Sequence, residues 1–444
     1  MQQQFRKNLM VLAVASALGG ASGMASAAAF ALIEQSGSGM GNAYAGAAAT
    51  ADDASTVFFN PAGMSRLEGI QFAAGGHVIG VSAEFSGTAT RPAALGGGAA
   101  TGGQGGEAGG AAIVPNAYFV LPIGDAVRFG IGIGVPFGLA TEYDDNWVGR
   151  FQGIKSELAT ININPSFSFK LSEVISLGIG LNHQAIDAEL TNAAVLGAGE
   201  TGRAILEADD VAFGWNAGAL FQLSPSTRIG VSYRSTIEYE LEGSVTVTSD
   251  SGSVAGVAAA NASTGPARAD VTMPDSFSLS FVQGLGDRIE LLADATFTRW
   301  SEINRINIVN SNNGTLRDSL VLDFDDSWRY SVGVNYKLNE DWKLKGGIAF
   351  DETPVKGATS RTVRLPDNDR TWVAFGAQMR VKQNGRLDFG YSHLFVKDAE
   401  INHTRSQQAP GQTVPTAAPG TATTVTGTYE GSVDIFSVQY SHSF

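Results

Sequence analysis

Trp328-Arg329-Tyr330-Ser331-Val332-Gly333-Val334-Asn335-Tyr336-Lys337 and, four residues on, Trp342-Lys343-Leu344-Lys345 with Ile348-Ala349-Phe350-Asp351 carry the reading of the fold. In both runs the even positions are bulky and apolar, while Arg329, Ser331, Asn335, Lys337, Lys343, Lys345 and Asp351 lie between them. A period of two sends one set of side chains to each face of a sheet. The short polar link Asn339-Glu340-Asp341 makes the pair a hairpin.

The same alternation recurs on either side. Ile175, Leu177, Ile179 and Leu181 interleave with Ser176, Gly178, Gly180 and Asn182, and Phe436, Val438, Tyr440, His442 and Phe444 with Ser437, Gln439, Ser441 and Ser443. Counting outward predicts fourteen strands, near 70–86, 112–122, 127–140, 155–171, 175–190, 209–223, 227–247, 274–284, 288–305, 319–338, 342–353, 371–382, 386–402 and 428–444. Links after even-numbered strands are tight, as in Ile123-Gly124-Asp125, Ser172-Glu173-Val174 and Gln383-Asn384-Gly385; those after odd-numbered strands are long, as in 87–111, 248–273, 354–370 and 403–427. A soluble sandwich has no reason to keep its long links at one end. An even-stranded membrane barrel does. Lipid offers no partner to an open sheet edge, so the wall must close. The reading is an all-β, 14-stranded antiparallel transmembrane barrel over residues 70–444.

Composition agrees. Arg6 and Lys7, the apolar run Leu9–Leu18 and Ala25-Ser26-Ala27 have the layout of a secretory signal peptide over 1–27. No later window is long and apolar enough for a membrane helix. Cysteine is absent, which excludes thiol catalysis and Cys-ligated zinc. The formal charge of −14 becomes −16 once Arg6 and Lys7 leave with the signal, and that balance argues against nucleic acid as a partner. Fifty-five glycines with only 16% charged residues suit a β-rich chain.

Two places break the pattern. Residues 28–62 show neither strand alternation nor a full helical period, and small residues dominate, so their backbone can approach other backbone closely. We expect this segment to plug the lumen. Within them Asp52 and Asp53 are placed to cap a short helix or to pair with lumen cations, Asn60-Pro61 sets a turn, and Phe58 and Phe59 either face a hydrophobic ligand or pack against the wall. The second break is Pro136, inside Phe129-Gly130-Ile131-Gly132-Ile133-Gly134-Val135-Pro136-Phe137-Gly138. Proline cannot donate to the ladder, and a closed barrel has no edge to place it on. Either the third strand kinks at Val135, Pro136, Phe137 and Gly138 and opens the lumen sideways, or Pro136 stands just past the embedded end.

Catalysis finds no support: no stretch reads as a nucleophile elbow. Gly37, Gly39 and Gly41 lack the strand before and the Lys-Ser/Thr after that a phosphate loop needs. The five histidines show no metal-ligand spacing, and Asp367-Asn368-Asp369 lacks the ligand ladder of a calcium loop. No cofactor or metal is expected.

At this point the chain resembles the FadL-type outer-membrane transporters for long-chain fatty acids and other hydrophobic compounds. The resemblance rests on Ser38-Gly39-Met40-Gly41, Ala43-Tyr44-Ala45-Gly46, Ala51-Asp52-Asp53-Ala54 and Asn60-Pro61-Ala62 near the start. It continues in Phe137-Gly138-Leu139-Ala140-Thr141-Glu142, Gly214-Trp215-Asn216-Ala217-Gly218, Gly347–Val355 and Pro366-Asp367-Asn368-Asp369-Arg370, and ends on Phe444. It implies a fourteen-stranded barrel with an N-terminal hatch over residues 28–69, the hatch motif Asn60, Pro61 and Ala62, and a lateral opening at Val135–Gly138. It implies basic side chains for a fatty-acid carboxylate, for which Arg150, Arg361, Arg364 and Arg370 are candidates. The implied function is passive uptake of long-chain fatty acids across the outer membrane of a Gram-negative bacterium, by hatch rearrangement and lateral release. Aromatic hydrocarbons of the toluene or xylene type are the alternative cargo, and a general diffusion porin fits less well. Outer-membrane lipid and lipopolysaccharide would surround a monomeric barrel.

Overall fold

The computed structural model describes residues 29–444 except 198, 383 and 409–411, so the expected signal peptide lies outside the described residues. The first three strands are β1 (Gln71–Ala89), β2 (Gly110–Ile123) and β3 (Val127–Gly134, resumed at Gly138–Glu142). There follow β4 (Lys155–Lys170), β5 (Ile175–Gly197), β6 (Glu200–Ser224) and β7 (Thr227–Arg234 and Ile237–Ser249). Next come β8 (Gly265–Met273 and Ser276–Leu285), β9 (Ile289–Thr298 and Arg305–Val309) and β10 (Leu316–Val321 and Ser327–Lys337). Last are β11 (Trp342–Asp351), β12 (Arg370–Val381), β13 (Gly385–Val396 and Ala399–Arg405) and β14 (Thr423–Ser443). Each pairs antiparallel with the next, and β1 pairs with β14 from Gln71↔Ser443 to Ala89↔Val425. The sheet closes into a fourteen-stranded barrel, which leaves no unpaired edge for lipid to meet.

Burial is inverted relative to a soluble protein. On β10, Val332 is 53% exposed while the neighbouring Ser331 is 3% exposed, and on β12 Phe375 is 61% exposed. Arg329, Asn335, Lys345, Asp388 and Gln439 are buried inside. The apolar faces therefore point to lipid and the polar faces to the lumen.

One expected link proves to be strand. Residues 191–208, read as a long connection, continue β5 and β6 into a hairpin whose ladder runs from Ile175↔Phe221 to Gly197↔Glu200. Asn192-Ala193-Ala194 and Gly202-Arg203-Ala204 mix small and polar residues and carry no clean alternation, yet the two lengths pair face to face. Likewise β9 and β10 run on until only 310–315 joins them. Among the links at that end, 250–264 carries a helix, and 352–369 and the described residues of 406–422 hold no helix or strand.

The N-terminal segment folds as single turns: α1 (Gly37–Met40), α2 (Ala47–Thr50), α3 (Thr56–Phe59) and a 3₁₀ turn, Pro61–Arg66. The helix in the 250–264 link is α4 (Val254–Ser263). Asn60 caps the 3₁₀ turn, its Oδ1 accepting from Ala62 N at 3.0 Å, with Pro61 at the first position where no N–H is needed. These turns lie against the inward faces of the strands. A Cβ at Gly218 would overlap Asn60 Oδ1 and one at Gly178 would overlap the Pro61–Ala62 peptide, so both wall positions require glycine for the segment to sit this close.

Candidate functional site

The wall has a defect at Pro136. Pairing of β2 with β3 stops at Ala117↔Ile133, although β2 continues along β1 to Val81↔Gly110. On the other side, β3 resumes beside β4 at Gly138↔Ala159. The interrupted backbone finds partners inside the barrel. Leu32 N donates to Pro136 O (2.8 Å), Gly138 N to Phe30 O (2.9 Å), and Gln35 Nε2 to Val135 O (2.6 Å). Thr160 of β4 completes the set: its Oγ1 accepts from Phe137 N (3.0 Å) and donates to Phe137 O (2.8 Å). The first residues of the N-terminal segment thus act as a short false strand across the break, bridged at Ala31↔Phe137.

Beside this break lie two cavities. One, of ≈ 100 Å³, has an almost wholly apolar wall that includes Leu158, Ile186, Leu206, Leu241, Val271 and Met273. The other, of ≈ 150 Å³, is bounded by Ile33, Phe58, Phe59, Pro136 and Phe137, with Arg234, Asp294, Arg329 and Asp351 adding charge. Aromatic rings stand between them. Phe30 meets Trp300 edge-on at 4.8 Å and Phe137 at 6.2 Å, and Trp300 meets Phe324 at 6.0 Å. Phe30 lines the apolar cavity, while Phe137 and Trp300 line the mixed one. Such pairs add attraction beyond their buried area.

The four sequence-derived arginines are not brought together. Arg150 donates to Thr101 O and Trp147 O at 2.9 Å and packs over Phe151, away from both cavities. Arg361 is held by the carbonyls of Asp367 and Glu400, and Arg370 pairs with the carboxylate of Asp367. Arg364 alone of the four lines the apolar cavity. Burial, with Arg405 nearby, pulls its pKa down to about 9, so it still carries a proton at neutral pH. Two further arginines escaped the sequence reading. Arg234 covers the Phe58 ring at 4.2 Å and donates to Phe58 O at 3.0 Å. Arg329 packs over Trp372 and donates to Ala43 O at 2.9 Å. Both occupy ordinary inward positions of strands, so nothing in the pattern marks them apart from other lumen polar residues.

The segment is tied to the wall by charge as well as by shape. Burial pushes the Asp52 carboxyl up, but Lys343 (Nζ at 3.3 Å), Lys345, Arg228 and Arg386 outweigh it and hold the group well below the usual carboxylate range. Asp53 accepts from Ser55 N (2.8 Å), Ser38 Oγ (2.7 Å) and Gln439 Nε2 (3.0 Å), combining a side-chain turn just before α3 with a wall contact, while α3 itself has no side-chain cap. Asn60 Nδ2 donates to Ala48 O (2.7 Å) and to Ala219 O of β6 (3.0 Å). Glu34, between Leu32 and Gln35, is buried with Oε2 unpartnered; burial lifts its pKa to about 7 against the pull of Arg329 and Arg370.

Among the described residues no His, Asp or Glu cluster has the geometry of a metal site. The comparisons with known proteins point the same way as this geometry. Residues 19–444 match the family described as outer membrane protein transport protein (OMPP1/FadL/TodX). A long-chain fatty acid transport protein of Escherichia coli O157:H7 is 30% identical over 433 residues, covering 90% of this chain and 94% of that protein. The crystal structure of a Pseudomonas aeruginosa FadL homologue superposes with a TM-score of 0.85 at 24% identity, covering 94% of this chain and 100% of that one. The Ralstonia pickettii toluene transporter TbuX gives 0.61 at 18% identity, covering 91% and 97%. At those identities the two structures establish the fold.

Proposed function

The chain belongs to the OMPP1/FadL/TodX family of outer-membrane transporters for hydrophobic compounds, and from that premise we propose that it takes up long-chain fatty acids passively. The N-terminal segment acts as the hatch and the break in β3 as the lateral exit. Cargo enters the apolar cavity from the long-link end, passes the Phe30–Trp300–Phe137 rings, and leaves sideways between β2 and β3.

The observation that carries this reading is the seat of residues 30–35 on the break itself, with the two cavities on either side of the same aromatic rings. Each buried CH₂ contributes about 0.8 kcal/mol, so a long acyl chain gains roughly 10 kcal/mol in an apolar pocket and leaves slowly unless the pocket changes. Moving Phe30 changes both cavities at once, because its ring lines one and meets Phe137 and Trp300 of the other, while its carbonyl accepts from Gly138 N and Leu32 N donates to Pro136 O. A diffusion porin needs an open polar lumen, and here the inward faces of β6, β8, β11 and β12 are covered by residues 41–62. The same path would also pass aromatic hydrocarbons, and the named fatty acid transporter covers nearly the whole chain at the higher identity, which favours acyl cargo.

The test is uptake of labelled oleate and of labelled toluene by a strain lacking its own fatty acid transporter and expressing this chain. Oleate uptake above the empty-vector strain supports the reading. Toluene uptake without oleate uptake replaces it with the aromatic one.

A further inference from the structure

The ladder between β6 and β7 is open over one stretch. From the short-link end it runs to Asn216↔Arg234 and it resumes at Asp209↔Glu242, so residues 210–215 and 235–241 lie side by side without a ladder pair. Both strands keep their other neighbours there. β6 stays on β5 through Asp210↔Ile186 and Trp215↔Leu181, and β7 stays on β8 through Met273↔Ile237 and Val271↔Tyr239. Side chains pin the two ends of this seam. Ser235 N donates to Trp215 O and Ser235 Oγ accepts from Trp215 N, both at 2.9 Å, while Asp210 Oδ2 accepts from Glu240 N at 2.8 Å. Between the pins the seam is closed by packing: Ile237 sits so close to Gly214 that a Cβ there would come within 2.7 Å of its Cγ1.

The seam separates an exposed apolar patch from the apolar cavity. Outside, Val211, Phe213 and Trp215 are exposed, Phe213 to 62%. Trp215 packs with Tyr233 at 5.2 Å and stands about nine residues from the short-link end of β6, the span of a transmembrane strand. Paired aromatic rings at that height mark the outer boundary of the hydrocarbon, so the seam begins at the boundary and runs outward, where backbone is no longer confined to a closed ladder. Inside, Ile237, Tyr239 and Leu241 are buried in one cluster with Phe30 and Trp300, and Leu241 and Ile186 line the apolar cavity. Exposed carboxylates of Asp209, Glu238, Glu240 and Glu242 flank the outer mouth. Their field opposes an approaching anion and leaves an uncharged molecule unhindered.

We propose that this seam is a second entrance, through which uncharged apolar molecules gathered at the outer-leaflet boundary reach the apolar cavity, with Phe213 as the side chain they meet first. The inference rests on the uptake function above and adds a route sorted by charge: anionic amphiphiles keep to the long-link end, and uncharged ones also pass between β6 and β7.

The test is uptake of labelled toluene and of labelled oleate at pH 8 by the strain described above, now expressing Phe213→Cys. The chain has no cysteine of its own, so a bulky poly(ethylene glycol) maleimide marks that site alone. Val254→Cys, at an exposed position of α4, carries the same adduct as the control for bulk at the outer surface. Complete labelling at Phe213→Cys should lower toluene uptake about five-fold or more and leave oleate uptake within about two-fold, and labelling at Val254→Cys should change neither. Asp210→Ala, which removes the partner of Glu240 N, should raise toluene uptake about two-fold or more with oleate uptake unchanged, and serves if Phe213→Cys does not assemble. Toluene uptake that the adduct and Asp210→Ala both leave unchanged, or that falls no further than oleate uptake, overturns the entrance. So does oleate uptake by the unmodified chain without toluene uptake, while the uptake function stands. Uptake of neither cargo overturns both.

Discussion

Leu32 donates its backbone N–H to Pro136 O at 2.8 Å, so the residue that breaks the third strand is hydrogen-bonded to the segment that fills the lumen. Closed barrels in lipid must satisfy every wall backbone group. Here part of the wall is satisfied from inside, by a piece of chain that is not wall. Anything that lifts the segment also exposes the break, and this couples the plug to the proposed exit.

Replacing the proline should weaken that exit. Pro136→Ala restores a ladder donor, and Gly138→Leu fills space where even a Cβ comes within 3.0 Å of Leu32 Cδ1. The double variant is expected to assemble normally, judged by heat-modifiable migration, and to lower oleate uptake about ten-fold or more, equivalent to roughly 1.4 kcal/mol of added barrier. Unchanged uptake would remove β3 from the path.

Asn60 should govern the segment rather than the barrel. Asn60→Ala leaves Ala48 O, Ala219 O and Ala62 N without their side-chain partner. Buried groups stranded in this way cost about 1–3 kcal/mol each. Hydrogen exchange should quicken over residues 40–66 and stay unchanged in β10–β14. Protection falling equally everywhere would mean Asn60 supports the whole fold.

Acidity should firm the seat. Glu34 has its folded pKa raised by burial from 4.5 to about 7, so the seated state holds a proton that a released segment gives up. Stability is therefore full below about pH 4.5, falls as pH rises toward 7, and is level above it, with a total loss of about 3 kcal/mol. Proteolysis of the N-terminal segment in outer-membrane vesicles should be slower at pH 5 than at pH 8, and Glu34→Gln should flatten the dependence. A protease active across both values is required, and a pH dependence that survives Glu34→Gln would place the titrating group elsewhere.

Lys345 should matter to both parts. Its Nζ donates to Asp388 Oδ1 (2.8 Å) and to Ser38 O (2.7 Å), with both side chains nearly unexposed. Lys345→Met strands a buried carboxylate, at a cost of about 3–5 kcal/mol. The temperature of the heat-modifiable shift should drop, and Lys345→Met with Asp388→Leu should recover most of it. A double variant no better than the single one would contradict the pairing.

The wall was legible because strand pairing leaves a simple trace: Trp328–Tyr336 and Trp342–Phe350 alternate, and Asn339-Glu340-Asp341 is too short for anything but a hairpin. The break was legible because Pro136 interrupts a glycine-rich apolar run, although proline alone does not mark a break: Pro115 and Pro165 stand paired within β2 and β4. The upper halves of β5 and β6 were not, since Ala193, Ala194, Gly202 and Ala204 stand where neither face demands large side chains. Among the arginines, charge alone could not separate Arg364 from Arg361 and Arg370. That distinction lies in Asp367, which engages both of the latter and leaves Arg364 to the cavity wall. Arg234 and Arg329 were hidden by the alternation itself, which predicts polar inward residues without saying which of them borders a cavity.

The coupling of segment to break can be tested by locking them together. Ala31 and Phe137 form an antiparallel bridge, and the chain has no cysteine of its own, so Ala31→Cys with Phe137→Cys gives a single defined crosslink. Oleate uptake by cells carrying this pair should fall to the empty-vector rate under oxidising conditions and return with a reductant. Uptake that is the same oxidised and reduced, with the crosslink shown complete by mass spectrometry, would contradict the account.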